Sequence, residues 1–131
     1  KRENNPQWMQ RLSMTHDAFH SSELPESIAL TSIHNVRIVP VHDIVYCKGD
    51  GPYTFFFLND GSKELISKPL KYYEELLPLP YFLRTHQSYL VNRSYISGVN
   101  RSEYIVLKNK EEIPISSRRK NAILNQLFPQ K

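Results

Sequence analysis

The sequence has a single cysteine, Cys47, and lacks any apolar run long enough to cross a membrane. One cysteine excludes a disulfide within the chain, and no signal-peptide pattern opens the sequence, so we expect a cytoplasmic protein with no membrane partner. With 131 residues, 40% of them hydrophobic, the chain can form one compact domain with a modest core. Because it begins at Lys1, we also expect further protein upstream.

Acidic residues are missing from the end of the chain, where none follows Glu112. Residues 1–83 contain 8 basic and 10 acidic residues, a net charge of −2, whereas residues 84–131 contain 9 and 3, a net charge of +6. The formal charge of +4 therefore arises entirely in the last third of the sequence. This asymmetry indicates a polyanionic partner such as DNA, RNA or an anionic membrane.

The sequence also lacks a recognisable catalytic or metal-binding motif. His16 and His20 have the spacing of a helical metal pair, but no third ligand accompanies them, and a solvated helix face explains them better. Cys47 lies within a strand-like run and is interpreted as core or inert surface rather than a nucleophile. The Gly49–Pro52 segment lacks the spacing of a phosphate-binding loop. We therefore predict no enzyme activity, no metal site and no cofactor.

The first 27 residues are polar and differ from the rest of the chain. Apolar or aromatic residues recur there at helical spacing and predict a short amphipathic helix at about 7–20; they are Trp8, Leu12, His16 and Phe19. Such a helix has too few apolar positions to be stable alone. We interpret residues 1–27 as a connector to an upstream domain, with a weakly packed tail as the alternative.

From Ile28 onward the pattern changes to short β-prone runs separated by turn residues. Strands are expected at 28–33, 36–40, 44–48, 53–58, 63–67, 81–85, 89–92, 96–100, 104–107 and 111–115. Turns are expected at His34-Asn35, at Gly49–Pro52 and at Asn59–Gly61. In the run 53–58 both alternating faces are apolar, so both are expected to pack, which favours layered sheets.

Two helices are expected within this β-rich region. Pro69 opens a run with apolar residues at helical spacing, and Pro78 ends it, so the first helix spans about 69–77. The second begins at about Ser117 and carries Ile123 and Leu127 on its apolar face, with Ser116 or Ser117 as its N-cap.

Two windows combine positive charge with amide and hydroxyl donors, the side chains that contact phosphates and base edges. The first contains Arg84, His86, Gln87, Ser88, Asn92 and Arg93, and the second contains Arg118, Arg119 and Lys120. A solvated charged face is the simpler alternative, but the coincidence of cations with polar donors favours contact with nucleic acid. Cations at the start of the last helix oppose its dipole, and bound phosphate would offset that cost.

The sequence resembles the LytTR-type DNA-binding domains, the output modules of many bacterial response regulators. The similarity covers about 28–128, and its most specific part is the run from Phe82 to Arg93, FLRTHQSYLVNR. Further matching features are Ile44-Val-Tyr46 before a glycine-containing turn, Tyr53 after it, Ser67–Leu70 opening the first helix, Ile96, Ile113–Ser116 and the basic residues 118–120.

The resemblance implies a mostly β fold of stacked small antiparallel sheets, with one short internal helix and a C-terminal helix. It also implies that duplex DNA is contacted from loops rather than by a recognition helix. Carried over by position, the DNA-binding residues are Asp50 and Tyr53 with the intervening Gly51 and Pro52; Arg84, His86, Gln87 and Ser88; and Ser117, Arg118, Arg119 and Lys120. Asn92 is expected to hold its own loop together, and Tyr89 and Val91 are expected in the core.

The sequence therefore predicts residues 1–27 as connector and 28–131 as a domain that binds double-stranded DNA sequence-specifically and regulates transcription. Arg118 is expected to contact a base edge, and Arg84, Arg119 and Lys120 are expected to contact phosphates. An upstream receiver domain of a two-component system and dimeric binding to repeated half-sites are implied by the resemblance. The alternative function is a basic β-sheet module that binds a protein partner or an anionic membrane surface.

Overall fold

The computed structural model describes residues 23–129, in which ten strands and two α-helices form. The strands are β1 (Ser27–Thr31), β2 (Val36–Pro40), β3 (Ile44–Asp50), β4 (Tyr53–Leu58), β5 (Lys63–Ile66), β6 (Phe82–His86), β7 (Tyr89–Asn92), β8 (Ile96–Asn100), β9 (Tyr104–Leu107) and β10 (Glu112–Pro114). The helices are α1 (Leu70–Leu76) and α2 (Lys120–Leu127). The predicted mostly β fold with an internal and a C-terminal helix is confirmed. The helix predicted at about 7–20 lies outside the described residues.

The strands form three antiparallel sheets. The central sheet has five strands in the order β5-β4-β3-β7-β6. The hairpin β1-β2 forms a second sheet, and β10-β9-β8 forms a third. Every pair of neighbouring strands is antiparallel. All of these pairs except β3-β7 join successive strands, whose short turns require antiparallel pairing.

Two apolar clusters lie on opposite faces of the central sheet. One contains Phe56 and Leu90 together with residues of the β1-β2 hairpin and Leu70 and Tyr73 of α1. The other contains the next residues along the same strands with Ile105 of the third sheet and Ile123 of α2. Because successive side chains of a strand point to opposite faces, strands β3, β4, β6 and β7 contribute to both clusters, whereas the edge strand β5 contributes only Ile66, to the first. The central sheet is therefore the middle layer of the fold.

The two faces of strand β4 are buried to different extents. Thr54, Phe56 and Leu58 are buried. On the other face Phe57 stacks on Tyr46 with ring centroids 4.4 Å apart, but Tyr53 is 43% exposed. The prediction that both faces pack is correct for the middle of the strand and wrong at Tyr53, which lies at the end of the sheet.

Two predicted turns are shifted. The β1-β2 connection has four residues rather than the predicted two, because the Ser32 amide donates to the Asn35 carbonyl (2.9 Å) and the Ser32 hydroxyl accepts from the amides of His34 and Asn35. The β3-β4 connection is shorter than predicted, since β3 continues to Asp50 and the turn is Gly51-Pro52. Gly51 has φ +60°, a conformation that favours glycine.

The predicted N-cap of the last helix is wrong. Helix α2 begins at Lys120, its N-cap is Arg119, and no side chain caps it. Before the helix, the Arg119 amide donates to the Ser116 carbonyl (3.0 Å), which closes a turn over Ser116–Arg119. Ser116, one of the two serines predicted as the N-cap, therefore belongs to the turn before the helix.

Candidate nucleic-acid interface

Two of the three predicted contact segments are neighbours at one end of the central sheet. Strand β3 runs toward the β3-β4 turn, and its antiparallel neighbour β7 begins beside it, with Lys48 opposite Tyr89. The Gly49 amide donates to the Ser88 carbonyl (2.8 Å), so the β3-β4 turn and the β6-β7 turn are joined by a backbone hydrogen bond. Residues 35 or more positions apart in the sequence therefore lie side by side.

The third segment joins the same end of the sheet. The Ser116 amide donates to the carbonyl of Thr85 (2.9 Å), the residue before His86. This bond attaches the turn over Ser116–Arg119 to the end of β6. The β3-β4 turn, the β6-β7 turn and the Ser116–Arg119 turn thus form one continuous surface, which we call the turn face.

The first turn presents an exposed tip over a tightly packed base. Asp50 and Tyr53 are exposed, as are Gly51 and Pro52 between them. Beneath them, a Cβ added at Gly49 would lie 2.9 Å from Cβ of Leu70 in α1. Close packing of the helix against the strand thus fixes the height of the turn above α1.

The second turn fixes the hydrogen-bonding state of its histidine. Nδ1 of His86 accepts a hydrogen bond from the Ser88 amide (3.0 Å), and the ring meets Tyr89 edge-on with centroids 5.7 Å apart. A neutral imidazole whose Nδ1 accepts carries its proton on Nε2. His86 therefore offers an N–H donor, and the neighbouring Gln87 is exposed.

Arg84 lies under this turn rather than on its surface. Its side chain is only 14% exposed, its Nε donates to the His86 carbonyl (3.0 Å), and its Nη2 donates to the Gln87 carbonyl (2.6 Å). Its Nη1 forms an ion pair with Glu74 of α1. The structure therefore directs the guanidinium inward, unlike the other predicted cations.

The third turn supplies the exposed positive charge. Ser117 and Arg118 are exposed, and Arg119 and Lys120 are half-buried. None of these three cations forms an ion pair with any residue between 23 and 129. The first amides of an uncapped helix favour anions, as do the cations beside them. The segment is therefore suited to binding phosphate.

The structure divides the first basic window of the sequence into surface and scaffold. Asn92 is buried, its Nδ2 donates to the Ile44 carbonyl (2.8 Å), and its Oδ1 accepts from the Ser94 amide (2.9 Å). This confirms its predicted role in holding the loop. Arg93 donates to the Gln126 carbonyl (2.9 Å) near the end of α2 and does not reach the turn face. Val91 is buried as predicted, whereas Tyr89 is half-buried.

Two lysines near the turn face were not among the site residues predicted from the sequence. Lys48 is exposed, and its Nζ lies 5.9 Å from the ring centroid of Tyr89. Lys68 is also exposed and lies close to the start of β4, because Thr54 Oγ1 donates to the Lys68 carbonyl (2.7 Å). A count of charge along the chain could not find them, since both lie in the net acidic part. Their proximity to the turn residues 49–52 and to Pro69 was the only available signal.

The described residues offer no catalytic thiol or metal site at the turn face. Cys47 is fully buried, and burial raises the pKa of its thiol, which fits the predicted core role. Within 23–129 no cluster of three or more histidine, cysteine or acidic side chains could hold a metal ion, and no helix there is long and apolar enough to cross a membrane. His16 and His20 lie outside the described residues.

Three short turns gathered at one end of a layered β fold form one loop-built surface with exposed cations and polar donors. The family model of the LytTr DNA-binding domain matches residues 34–128, well over half of the chain. The chain therefore belongs to the LytTR family of DNA-binding domains.

A solved structure with the same fold is described as the "LytTr DNA-binding domain of putative methyl-accepting/DNA response regulator from Bacillus cereus". The two are similar with a TM-score of 0.69 and 21% sequence identity, over 79% of this chain and 98% of that chain. The likeness extends to the fold alone. No curated protein matches the sequence.

Proposed function

We propose that this domain binds double-stranded DNA sequence-specifically through the turn face and has no catalytic role. One observation carries the proposal: the hydrogen bonds from Gly49 to Ser88 and from Ser116 to Thr85 bring all three predicted contact segments onto one surface. That surface carries exposed cations and neutral donors together, the combination used to contact phosphates and read bases.

We assign the roles of its side chains by their exposure and charge. Arg118 is exposed and, as an arginine, can pair with two acceptors of a guanine at once. Arg119 and Lys120 flank the start of α2 and are assigned to phosphates, together with Ser117. His86, Gln87 and Ser88 supply donors from the middle turn, and in the first turn Tyr53 supplies a hydroxyl donor and Asp50 a carboxylate acceptor.

Membership of the family supports a proposal for the wider role of the domain. LytTR domains serve as output modules of response regulators, and the Bacillus cereus neighbour is described as part of one. We propose that residues 28–131 are the DNA-binding domain and that residues 1–27 connect it to an upstream receiver. In this proposal the full protein regulates transcription in the bacterial cytoplasm and binds repeated half-sites as a dimer.

The test begins with selection of bound duplexes from a random pool and titration of the best site and a random duplex at several salt concentrations. We expect affinity for both to fall as salt rises and the selected site to bind more tightly than the random duplex. Absence of salt-sensitive binding at low micromolar protein would contradict the proposal and favour the alternative basic module for a protein or an anionic membrane.

Arg118→Ala tests the base-reading assignment in the same titrations. We expect affinity for the selected site to fall by about 1–3 kcal/mol and the preference over random duplex to shrink. Lys108→Ala is the matched control, because Lys108 is also exposed but lies at the β9-β10 turn, at the opposite end of β10 from Ser116. An unchanged preference in Arg118→Ala would refute the assignment.

A further inference from the structure

Arg84 and Glu74 form a support beneath the β6-β7 turn. The guanidinium uses Nε and Nη2 for the carbonyls of His86 and Gln87, and Nη1 for the Glu74 carboxylate. The three nitrogens of the rigid, planar guanidinium thus each donate to a different oxygen: two carbonyls of the turn and one carboxylate of the helix. A side chain held in this way has little freedom to turn outward to a phosphate.

These bonds also orient the peptide groups of the turn. In a trans peptide the C=O and the following N–H point in opposite directions. Because the His86 carbonyl points to Arg84, the Gln87 N–H points away from it. Because the Gln87 carbonyl also points to Arg84, the Ser88 N–H is directed to Nδ1 of His86, the bond that places the imidazole proton on Nε2. Arg84 therefore sets the donors that the turn presents.

Helix α1 links this support to the neighbouring turn. Leu70 and Glu74 are four residues apart and so lie on one face of α1. Leu70 packs against Gly49 at the base of the β3-β4 turn, and Glu74 holds Arg84 at the base of the β6-β7 turn. One helix face thus positions two of the three turns.

We propose that Arg84 and Glu74 are positioning residues for DNA recognition and that Arg84 makes no phosphate contact, in place of the phosphate role its sequence position implied. The inference rests on the proposed binding of DNA by the turn face. Its most informative consequence concerns Glu74, an acidic residue close to a surface that would face a polyanion. Charge repulsion alone predicts that removing Glu74 strengthens binding. A positioning role predicts that it weakens binding.

The experiment compares Glu74→Gln with Glu75→Gln in the selected-site and random-duplex titrations. Both substitutions remove one negative charge from neighbouring positions of α1, but Glu75 is exposed and pairs with no cation between residues 23 and 129. We expect Glu74→Gln to weaken selected-site binding about tenfold and to reduce the preference over random duplex. Glu75→Gln should leave binding unchanged or slightly tighter. Since the Glu74 side chain is 40% exposed, Glu74→Gln is expected to keep the fold.

Arg84→Lys and Arg84→Ala separate the two roles of the arginine. Lysine keeps the charge but cannot replace the planar fork, so a positioning role predicts that both variants lose affinity and selectivity with no change in salt dependence. A phosphate contact predicts that Arg84→Lys binds almost normally and that Arg84→Ala lowers the salt slope by about one. Thermal unfolding of each variant establishes that it is folded under the binding conditions.

The outcomes distinguish this inference from the proposed function. Lack of salt-sensitive DNA binding by the unmodified protein would overturn the proposed function itself. If the unmodified protein binds and Glu74→Gln binds as tightly as Glu75→Gln, or if Arg84→Lys retains affinity while Arg84→Ala lowers the salt slope, the positioning role is refuted and the DNA-binding function stands.

Discussion

The Gly49 amide donates to the Ser88 carbonyl (2.8 Å), and the same residue packs directly against Leu70 of α1. A Cβ at position 49 would come within 2.9 Å of Cβ of Leu70, an atom fixed to the backbone of α1. Strand β3 can therefore approach α1 this closely only with glycine at position 49.

Gly49→Ala should destabilise the protein by about 1–3 kcal/mol, because the new methyl group must push α1 away from the sheet. Gly98→Ala is the matched control, since Gly98 also lies in a strand but an added Cβ there meets no atom within 4 Å. The control should change stability by less than about 0.5 kcal/mol. Urea unfolding of both variants measures the difference, and equal midpoints would contradict the close-packing argument.

Two fully buried threonines of the central sheet should respond differently to the same substitution. Thr54 Oγ1 donates to the Lys68 carbonyl (2.7 Å), whereas Thr85 Oγ1 has no hydrogen-bond partner among the described residues. Thr54→Val leaves a carbonyl without its donor and should cost about 1–2 kcal/mol. Thr85→Val removes a hydroxyl that satisfies nothing and should be neutral or stabilising. Similar losses of unfolding free energy in both variants would show that Thr85 has a partner in solution.

Tyr73 should make stability decline in alkaline solution. It is 2% exposed, and burial raises the pKa of its phenol to about 12 from the ordinary value of 10.0. The folded state thus keeps the proton over a range in which the unfolded chain has lost it, so the stabilisation is complete below pH 10 and is lost between pH 10 and 12. Burial also raises the pKa of Tyr46, so this residue too makes stability fall as the pH rises.

Tyr73→Phe tests this dependence. Between pH 8 and pH 11 the unmodified protein should lose about 1 kcal/mol of unfolding free energy through Tyr73, and the variant should lose that much less. Urea unfolding at both pH values provides the comparison. If the unfolding free energy of the two proteins declines equally, Tyr73 ionises in the folded state as it does in the unfolded chain.

Local patterns in the sequence predicted the elements well. Alternating apolar residues and turn residues identified, to within a few residues, the ten strands that the structure describes between residues 23 and 129, and Pro69 and Pro78 bracketed α1. The errors occur where the chain forms hydrogen bonds that periodicity does not encode. Ser116 is an example: its serine identity favours an N-cap, but its backbone bonds to Thr85 and Arg119 place it in a turn before the helix.

The candidate site shows the same division. Position in the family motif placed Arg84 and His86 together, and both do lie at the β6-β7 turn. What sequence could not show is that the Arg84 side chain points inward, because that depends on Glu74, ten residues away on another element. Arg93 belonged to the same basic window and instead bonds to Gln126 at the end of α2. Charge counts identify a basic region, whereas only packing shows which cations face outward.

His86 should contribute selectivity to DNA binding through Nε2. His86→Asn is the informative substitution, because an asparagine oxygen can still accept from the amide two residues on, as Nδ1 does from Ser88, while the Nε2 donor is lost. We expect a folded protein, a loss of about 1–3 kcal/mol in binding the selected site, and an unchanged salt dependence, since a neutral donor displaces no counterion. His42→Ala is the control: that side chain is 81% exposed and precedes β3, at the opposite end of the central sheet. If His86→Asn binds the selected site as tightly as the unmodified protein does, Nε2 has no part in base recognition. The turn would then offer only Gln87 and its backbone amides as donors.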